Sequence, residues 1–139
     1  MIESTQKNVT KKQKVIGYTT GVFDMFHIGH LNILRRAKMN CDYLIVGVTT
    51  DELSAQAKKK HPIVNLNERL EIVNAIKFVD EVVVQDTYEK IAAWNRLKFN
   101  IMFVGDDWKG SPKWETLEKE FKERRVEICY FPYTDGTSS

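Results

Sequence analysis

Residues 17–32 of the chain read GYTTGVFDMFHIGHLN, and they join an apolar, β-prone run to a helical pattern through a glycine-containing loop. In the helical part, Leu31, Leu34 and Ala37 fall on one face, as expected for an amphipathic helix. The start of a helix offers N–H groups without intrahelical partners and the positive end of the helix dipole. The stretch therefore predicts a strand–loop–helix unit that can hold a phosphate group.

Two histidines lie at the predicted start of this helix. His27 and His30 are three residues apart, so both side chains project from one side of the first turn. Gly29 leaves room between them for a phosphate, and Gly21 allows the backbone to approach a ligand closely. Imidazole N–H groups placed there would stabilise charge that grows on a reacting phosphate. A surface pair and half of a zinc site are the alternatives, although His61 is the only other histidine available as a ligand.

Strand-like and helix-like segments alternate along the rest of the chain. We predict strands at 14–19, 43–49, 81–84, 101–104 and 127–131. We predict helices at 30–39, from Asn67 through Ile76, at 88–97 and from Pro112 through Phe121. In the helix at 88–97, Ile91, Ala92 and Trp94 are expected to face inward. Residues 51–66 are polar and lysine-rich and are interpreted as a long loop. This order predicts an α/β, Rossmann-like, doubly wound parallel sheet of five strands with strand order 3-2-1-4-5. Ligands of such sheets bind beyond the carboxyl ends of the strands.

Length and composition limit the class of protein. A chain of 139 residues suits one domain, and a net charge of +2 is too small to indicate a nucleic-acid-binding protein. Two cysteines do not make a disulfide framework, which favours a reducing cytoplasm. No run approaches the roughly 18 apolar residues of a membrane helix. We predict a flexible polar tail at 1–13 and one catalytic, nucleotide-binding domain at 14–139.

The pattern G-x-F-D-x-x-H-x-G-H after a first strand resembles the cytidylyltransferase-like superfamily of nucleotidyltransferases. Its six fixed positions are met here by Gly21, Phe23, Asp24, His27, Gly29 and His30. The similarity continues through residues 42–52 (DYLIVGVTTDE), 67–69 (NER) and 79–82 (VDEV), and it covers nearly everything from Lys14 onward. Within the superfamily, residues 105–108 (GDDW) resemble the glycerol-3-phosphate cytidylyltransferases most closely.

The resemblance implies roles for residues of the first half of the chain. His27 and His30 would bind the CTP triphosphate and stabilise the transition state, together with Lys58 and Arg69. Further nucleotide contacts are implied for Thr19, Thr20, Gly21, Val22, Phe23, Asp24, Gly29 and Lys59. The alternatives are a solvated charge run for the lysines and a helix-surface residue for Arg69.

The resemblance also implies roles for two later loops. In the loop after the fourth strand, Gly105 and Asp107 would contact the nucleotide, and Asp106 and Trp108, with Asp24, would contact the acceptor; the alternative is a turn in which an aspartate caps the next helix. Near the C-terminus the family reads Arg-Thr-Glu-Gly-Ile-Ser-Thr, and this chain has a tyrosine in place of the arginine and an aspartate in place of the glutamate. The nucleotide contacts implied there are Tyr133, Thr134, Gly136, Thr137 and Ser138.

The implied reaction is transfer of CMP from CTP to a small alcohol phosphate, giving a CDP-alcohol and pyrophosphate. Glycerol phosphate is the favoured acceptor because of the GDDW segment, and the product would feed cell-wall, capsule or lipid polymers. Mg²⁺ is expected on the triphosphate without direct protein ligands, and the resemblance implies a homodimer. The alternatives are an adenylyltransferase acting on a sugar phosphate or cofactor precursor, and a weakly active nucleotide-binding module.

Overall fold

The computed structural model describes residues 14–106 and 109–132, and for Lys58 only the backbone. The predicted tail at 1–13 lies outside the described residues. The strands are β1 (Ile16–Gly21), β2 (Tyr43–Thr49), β3 (Glu81–Gln85), β4 (Ile101–Gly105) and β5 (Glu127–Phe131); the helices are α1 (Ile28–Met39), α2 (Asp51–Lys58), α3 (Leu66–Asn74), α4 (Lys90–Leu97) and α5 (Pro112–Glu123). None of the helices in these ranges is long and apolar enough to cross a membrane.

All five strands pair in parallel, in the order β3-β2-β1-β4-β5, which confirms the predicted fold class and strand order. The sheet separates two apolar cores. One contains Leu34 and Ala37 of α1 and Val73 of α3, and the other contains Ala93 of α4 with Trp114 and Phe121 of α5. The helices therefore cover both faces, as right-handed crossovers between parallel strands require.

The segment 51–66, predicted as a loop, contains the helix α2. Thr50 caps this helix by accepting a hydrogen bond on Oγ1 from the N–H of Leu53 at 3.0 Å, and Lys59 ends it with φ of 61°. The prediction was wrong because the sequence DELSAQAK has good helix formers but no broad apolar stripe. The loop that remains is short, and it leads directly to α3.

Several predicted boundaries also differ from the structure. Asn65, not Asn67, caps α3, accepting on Oδ1 from the N–H of Glu68 at 3.0 Å. Helix α1 begins at Ile28, two residues earlier than predicted, because the histidine before it serves as its cap. Helix α4 begins at Lys90, and its buried alanine is Ala93, whereas Ala92 is exposed.

The two central strands separate at their carboxyl ends. β1 and β2 pair over six residues, but β1 and β4 pair only at Gly17 with Ile101 and Tyr18 with Met102. Beyond that point the hydroxyl of Thr19 donates to the carbonyl of Phe103 at 3.2 Å, where a backbone bond would otherwise lie. Divergence at the point where strand order reverses opens the crevice in which such folds bind ligands.

Candidate functional site

The two histidines of the first loop are held by reciprocal hydrogen bonds to the start of α1. His27, in extended backbone geometry, is the N-cap, and its Nδ1 accepts from the N–H of Gly29 at 3.0 Å. The Nδ1 of His30 accepts in turn from the N–H of His27 at 3.1 Å. The ring centroids of the two imidazoles lie 4.1 Å apart. The same bonds that begin the helix therefore fix the orientation of both rings.

These bonds also determine which nitrogen of each neutral ring carries the proton. A ring nitrogen that accepts a backbone N–H bond has no proton of its own, so in both histidines the proton is on Nε2. The Nε2 atom of His27 is buried and has no hydrogen-bond partner among the described residues. A buried donor without a partner is uncommon and is best explained by a ligand that accepts from it. An anionic phosphate oxygen is such an acceptor, and it would lie at the start of a helix.

The loop before the histidines has a strained and tightly packed conformation. Phe23 and Met25 adopt left-handed backbone angles, with φ of 54° and 50°. The buried ring of Phe23 packs edge-on against His30 at a centroid distance of 5.5 Å. A Cβ on Gly21 would lie 3.0 Å from the same ring, so Gly21 makes room for Phe23. Such strain is maintained where the surroundings fix it, and it is frequent at functional sites.

Asp24 ties this loop to the segment that precedes α3. Its two carboxylate oxygens accept from the N–H groups of Ile63 at 2.9 Å and Val64 at 2.8 Å. Partial burial alone would raise the pKa of Asp24, but these N–H groups and the charge of Arg69 shift the pKa below its ordinary value. Asp24, predicted to contact the nucleotide and the acceptor, thus has a structural partner for each oxygen and positions the loop.

We expect Asp24→Asn to lower the stability of the protein. The two N–H groups require two acceptor oxygens, whereas an amide offers one oxygen and one donor nitrogen, so one N–H group loses its partner. Hydrogen bonds to a charged group contribute about 1.5–3 kcal/mol. Urea unfolding at neutral pH should show a loss in the free energy of unfolding on that scale.

The acid dependence of stability provides the control for Asp24→Asn. Because the folded-state pKa of Asp24 lies below its ordinary value of 3.8, its stabilisation is fully present above that value and is lost as the pH falls through the folded-state pKa. The free energy of unfolding of the parent should therefore fall more steeply below about pH 4 than that of Asp24→Asn. An equal fall in the two proteins would show that the carboxylate does not have this role.

Arg69 occupies the centre of the same network. Its side chain has 0% exposure and pairs with the carboxylate of Asp51 at the start of α2. Its Nη1 donates to the carbonyls of Val22 and Thr49, both at 2.8 Å, and its Nε donates to the carbonyl of Val64 at 2.7 Å. Through these bonds Arg69 joins the loop after β1, the end of β2 and the segment before α3, and so positions the loop. Its predicted phosphate contact stays a prediction.

The other predicted site residues fall into three groups. Thr20 and Gly105 line a crevice at the strand ends, as does the buried Thr19. Lys59 and Asp106 are exposed. The side chain of Lys58 and all of Asp107, Trp108, Tyr133, Thr134, Gly136, Thr137 and Ser138 lie outside the described residues, so their roles stay predictions.

The crevice opens into a cavity of about 960 Å³ at the carboxyl ends of β1, β4 and β5. Most of its lining residues were not predicted as site residues, among them Tyr88, Lys90, Lys113 and Trp114. The two histidines do not line it, but Thr20 at the end of β1 does, so the cavity adjoins the histidine loop. A signal was present in the sequence, because each lysine falls in the first turn of a helix, where positive charge is unfavourable.

Comparison with known proteins identifies relatives over most of the chain. A family model described as cytidylyltransferase-like matches residues 18–138. Glycerol-3-phosphate cytidylyltransferase from Bacillus spizizenii is 39% identical over 128 residues, which are 91% of this chain and 92% of that protein. FAD synthase from Thermococcus sibiricus is 34% identical over 131 residues, which are 90% of this chain and 85% of that protein.

A solved structure supports the same grouping. The lipopolysaccharide core biosynthesis protein from Thermoplasma volcanium GSS1 superposes with a TM-score of 0.72 at 25% sequence identity. The match covers 88% of this chain and 98% of that chain. The likeness therefore extends over most of this chain and nearly all of that one.

Proposed function

The chain belongs to the cytidylyltransferase-like family and is a nucleotidyltransferase, and from this we propose that it transfers CMP from CTP to glycerol 3-phosphate. The products would be CDP-glycerol and pyrophosphate. The observation that carries the proposal is the orientation of the two histidines, whose Nδ1 atoms are engaged and whose Nε2–H groups are donors at a helix start.

The chemistry requires positioning and charge stabilisation rather than a covalent intermediate. An oxygen of the acceptor phosphate forms a bond to the α-phosphorus of CTP, and the bond from that phosphorus to the β-phosphate oxygen breaks as pyrophosphate leaves. His27 and His30 donate to the phosphate oxygens on which charge accumulates. Asp24 and Arg69 hold the loop that carries the histidines.

The arrangement of possible metal-binding side chains bears on the role proposed for Mg²⁺. Within residues 14–106 and 109–132, no three His, Cys, Asp or Glu side chains come together as a metal site. Mg²⁺ is proposed to enter as the CTP complex, where it neutralises charge on the triphosphate.

The proposed acceptor rests on the relatives. Proteins named glycerol-3-phosphate cytidylyltransferase from two Bacillus species are 39% and 35% identical over nearly the whole chain. The relative named FAD synthase favours a second candidate, adenylyl transfer to a flavin, at 34% identity. Proteins named ethanolamine-phosphate cytidylyltransferase match shorter stretches, with 45% identity over 78 residues in one from Arabidopsis thaliana.

A matrix of nucleotides and acceptors tests the proposal. CTP and ATP would each be combined with glycerol 3-phosphate, ethanolamine phosphate, choline phosphate and FMN in the presence of Mg²⁺. Pyrophosphate release and the mass of the product would be measured. We expect CTP with glycerol 3-phosphate to have the highest kcat/KM. The proposal is wrong if ATP with FMN is the preferred pair, or if no pair is turned over.

A further inference from the structure

The ammonium group of Lys90 lies in a corner formed by two aromatic side chains of the cavity wall. Its Nζ is 5.4 Å from the ring centroid of Tyr88 and 6.0 Å from that of Trp114. It also donates to the carbonyl of Tyr88 at 3.1 Å. Aromatic rings arranged around a cation attract it through their negative faces, and the same arrangement recognises alkylammonium ligands. In this protein the corner is filled by a cation of the chain itself.

The position of this lysine is unfavourable for stability. Lys90 is the first residue of α4, which has no acidic residue in its first turn, and Lys113 is the second residue of α5. Each places positive charge beside the positive end of a helix dipole. Burial lowers the pKa of Lys90, Lys113 lowers it further, and Glu89 opposes both effects. Glu89 occupies the N-cap position of α4 and Glu115 lies in the first turn of α5, so acidic neighbours offset part of this charge. Both lysines line the cavity, where their charge can act on a bound ligand.

We propose that Lys90 is a specificity-determining residue that keeps acceptors with a cationic head out of the corner formed by Tyr88 and Trp114. The inference rests on the proposed function, because it concerns the acceptor in that reaction. An ammonium or trimethylammonium head would have to displace Lys90 from the rings while meeting the like charge of Lys113. Arg36, Glu89 and Glu120 also line the cavity, so its three cations outnumber its two carboxylates. An uncharged polyol meets no such repulsion, and its hydroxyl oxygens can accept from the lysine. Thr20 and Gly105 line the same cavity, so an acceptor bound there lies beside the histidine loop.

The test compares Lys90→Met with a matched control. Methionine keeps an unbranched side chain and removes the charge. Lys98→Met removes a lysine that also stacks on an aromatic ring, with its Nζ 4.0 Å from the centroid of Trp94, but that does not line the cavity. For each protein, kcat/KM with CTP would be measured for choline phosphate and for glycerol 3-phosphate. We expect Lys90→Met to raise the ratio of choline phosphate to glycerol 3-phosphate by about tenfold or more. Lys98→Met should leave the ratio within about twofold of the parent.

A binding measurement separates failure of this inference from failure of the proposed function. Titration of choline phosphate and glycerol 3-phosphate by calorimetry gives the ratio of the two Kd values without turnover. The expected result is weak choline phosphate binding by the parent and at least about tenfold tighter binding by Lys90→Met. The inference is overturned if the parent binds choline phosphate as tightly as glycerol 3-phosphate, or if the ratio of Kd values is the same in Lys90→Met. Absence of CTP turnover with every alcohol phosphate overturns the proposed function instead.

Discussion

Replacement of His30 by alanine is expected to lower kcat/KM for CTP-dependent product formation by at least about 100-fold, the scale of one lost transition-state donor. The variant loses the Nε2–H group of His30. It also loses the Nδ1 acceptor that bonds the N–H of His27, which should cost about 1 kcal/mol of stability. Steady-state kinetics at saturating acceptor measure the first effect, and thermal unfolding measures the second. If the variant stays folded at the assay temperature but loses its activity, the loss of activity is due to the missing donor and not to unfolding.

Two further histidine variants serve as controls. His27→Asn retains a side chain that can cap α1, because asparagine is among the best N-cap residues, but it removes the ring donor. It should lose activity on a similar scale with little change in stability. His61→Ala removes an exposed histidine that takes part in none of the interactions described for the site, and it should keep the activity of the parent. Activity of His30→Ala within about threefold of the parent would contradict the role proposed for the pair.

Replacement of Arg69 by methionine is expected to lower the free energy of unfolding by about 3–5 kcal/mol, because three carbonyl oxygens lose a charged donor at about 1–3 kcal/mol each. The change leaves the carboxylate of Asp51 without its cation, and the carbonyls of Val22, Thr49 and Val64 lose their donor. For a chain of this size the loss corresponds to a fall in Tm of roughly 10–20 °C. Urea unfolding and calorimetry measure both quantities.

The Arg69 network is tested further by the order of effects among related variants. Arg69→Lys should recover only part of the stability, since one ammonium group cannot reach four acceptors in the directions of a planar guanidinium. Asp51→Asn should cost less than Arg69→Met, because the arginine keeps its carbonyl partners. Arg35→Met, at an exposed position of α1, should change stability by no more than about 0.5 kcal/mol. Equal stability of Arg69→Met and the parent would mean that this network does not hold the loop.

The sheet was predictable from sequence because its strands are short, apolar and regularly spaced. Residues 43–49 (YLIVGVT) form a continuous apolar run, which is typical of a strand covered on both faces, and the structure gives β2 the same bounds. Helix α2 was missed because it lacks such a pattern. The N-cap of α3 was placed two residues late, although Asn65 and Glu68 have the spacing of a capping box.

The candidate site was predictable in its location but less so in the roles of its residues. The histidines are close in sequence, so their spacing predicted their juxtaposition at the helix start. The four acceptors of Arg69 come from three separate segments, and only the folded chain shows that they surround the guanidinium. The surroundings of Lys90 were likewise not predictable from sequence. Tyr88 precedes α4 and Trp114 lies at the start of α5, and only the fold brings the two rings to the same ammonium group.

The most direct test of the histidine site is nitrogen NMR of the protein labelled with ¹⁵N-histidine. The chain has three histidines, so single substitutions assign every signal. The hydrogen bonds to Nδ1 predict that the neutral rings of His27 and His30 are in the Nε2–H form. Addition of Mg²⁺ and CTP should shift the Nε2 signals of both residues and leave His61 unchanged. Unshifted signals of His27 and His30 at saturating CTP, or protons found on their Nδ1 atoms, would contradict the account.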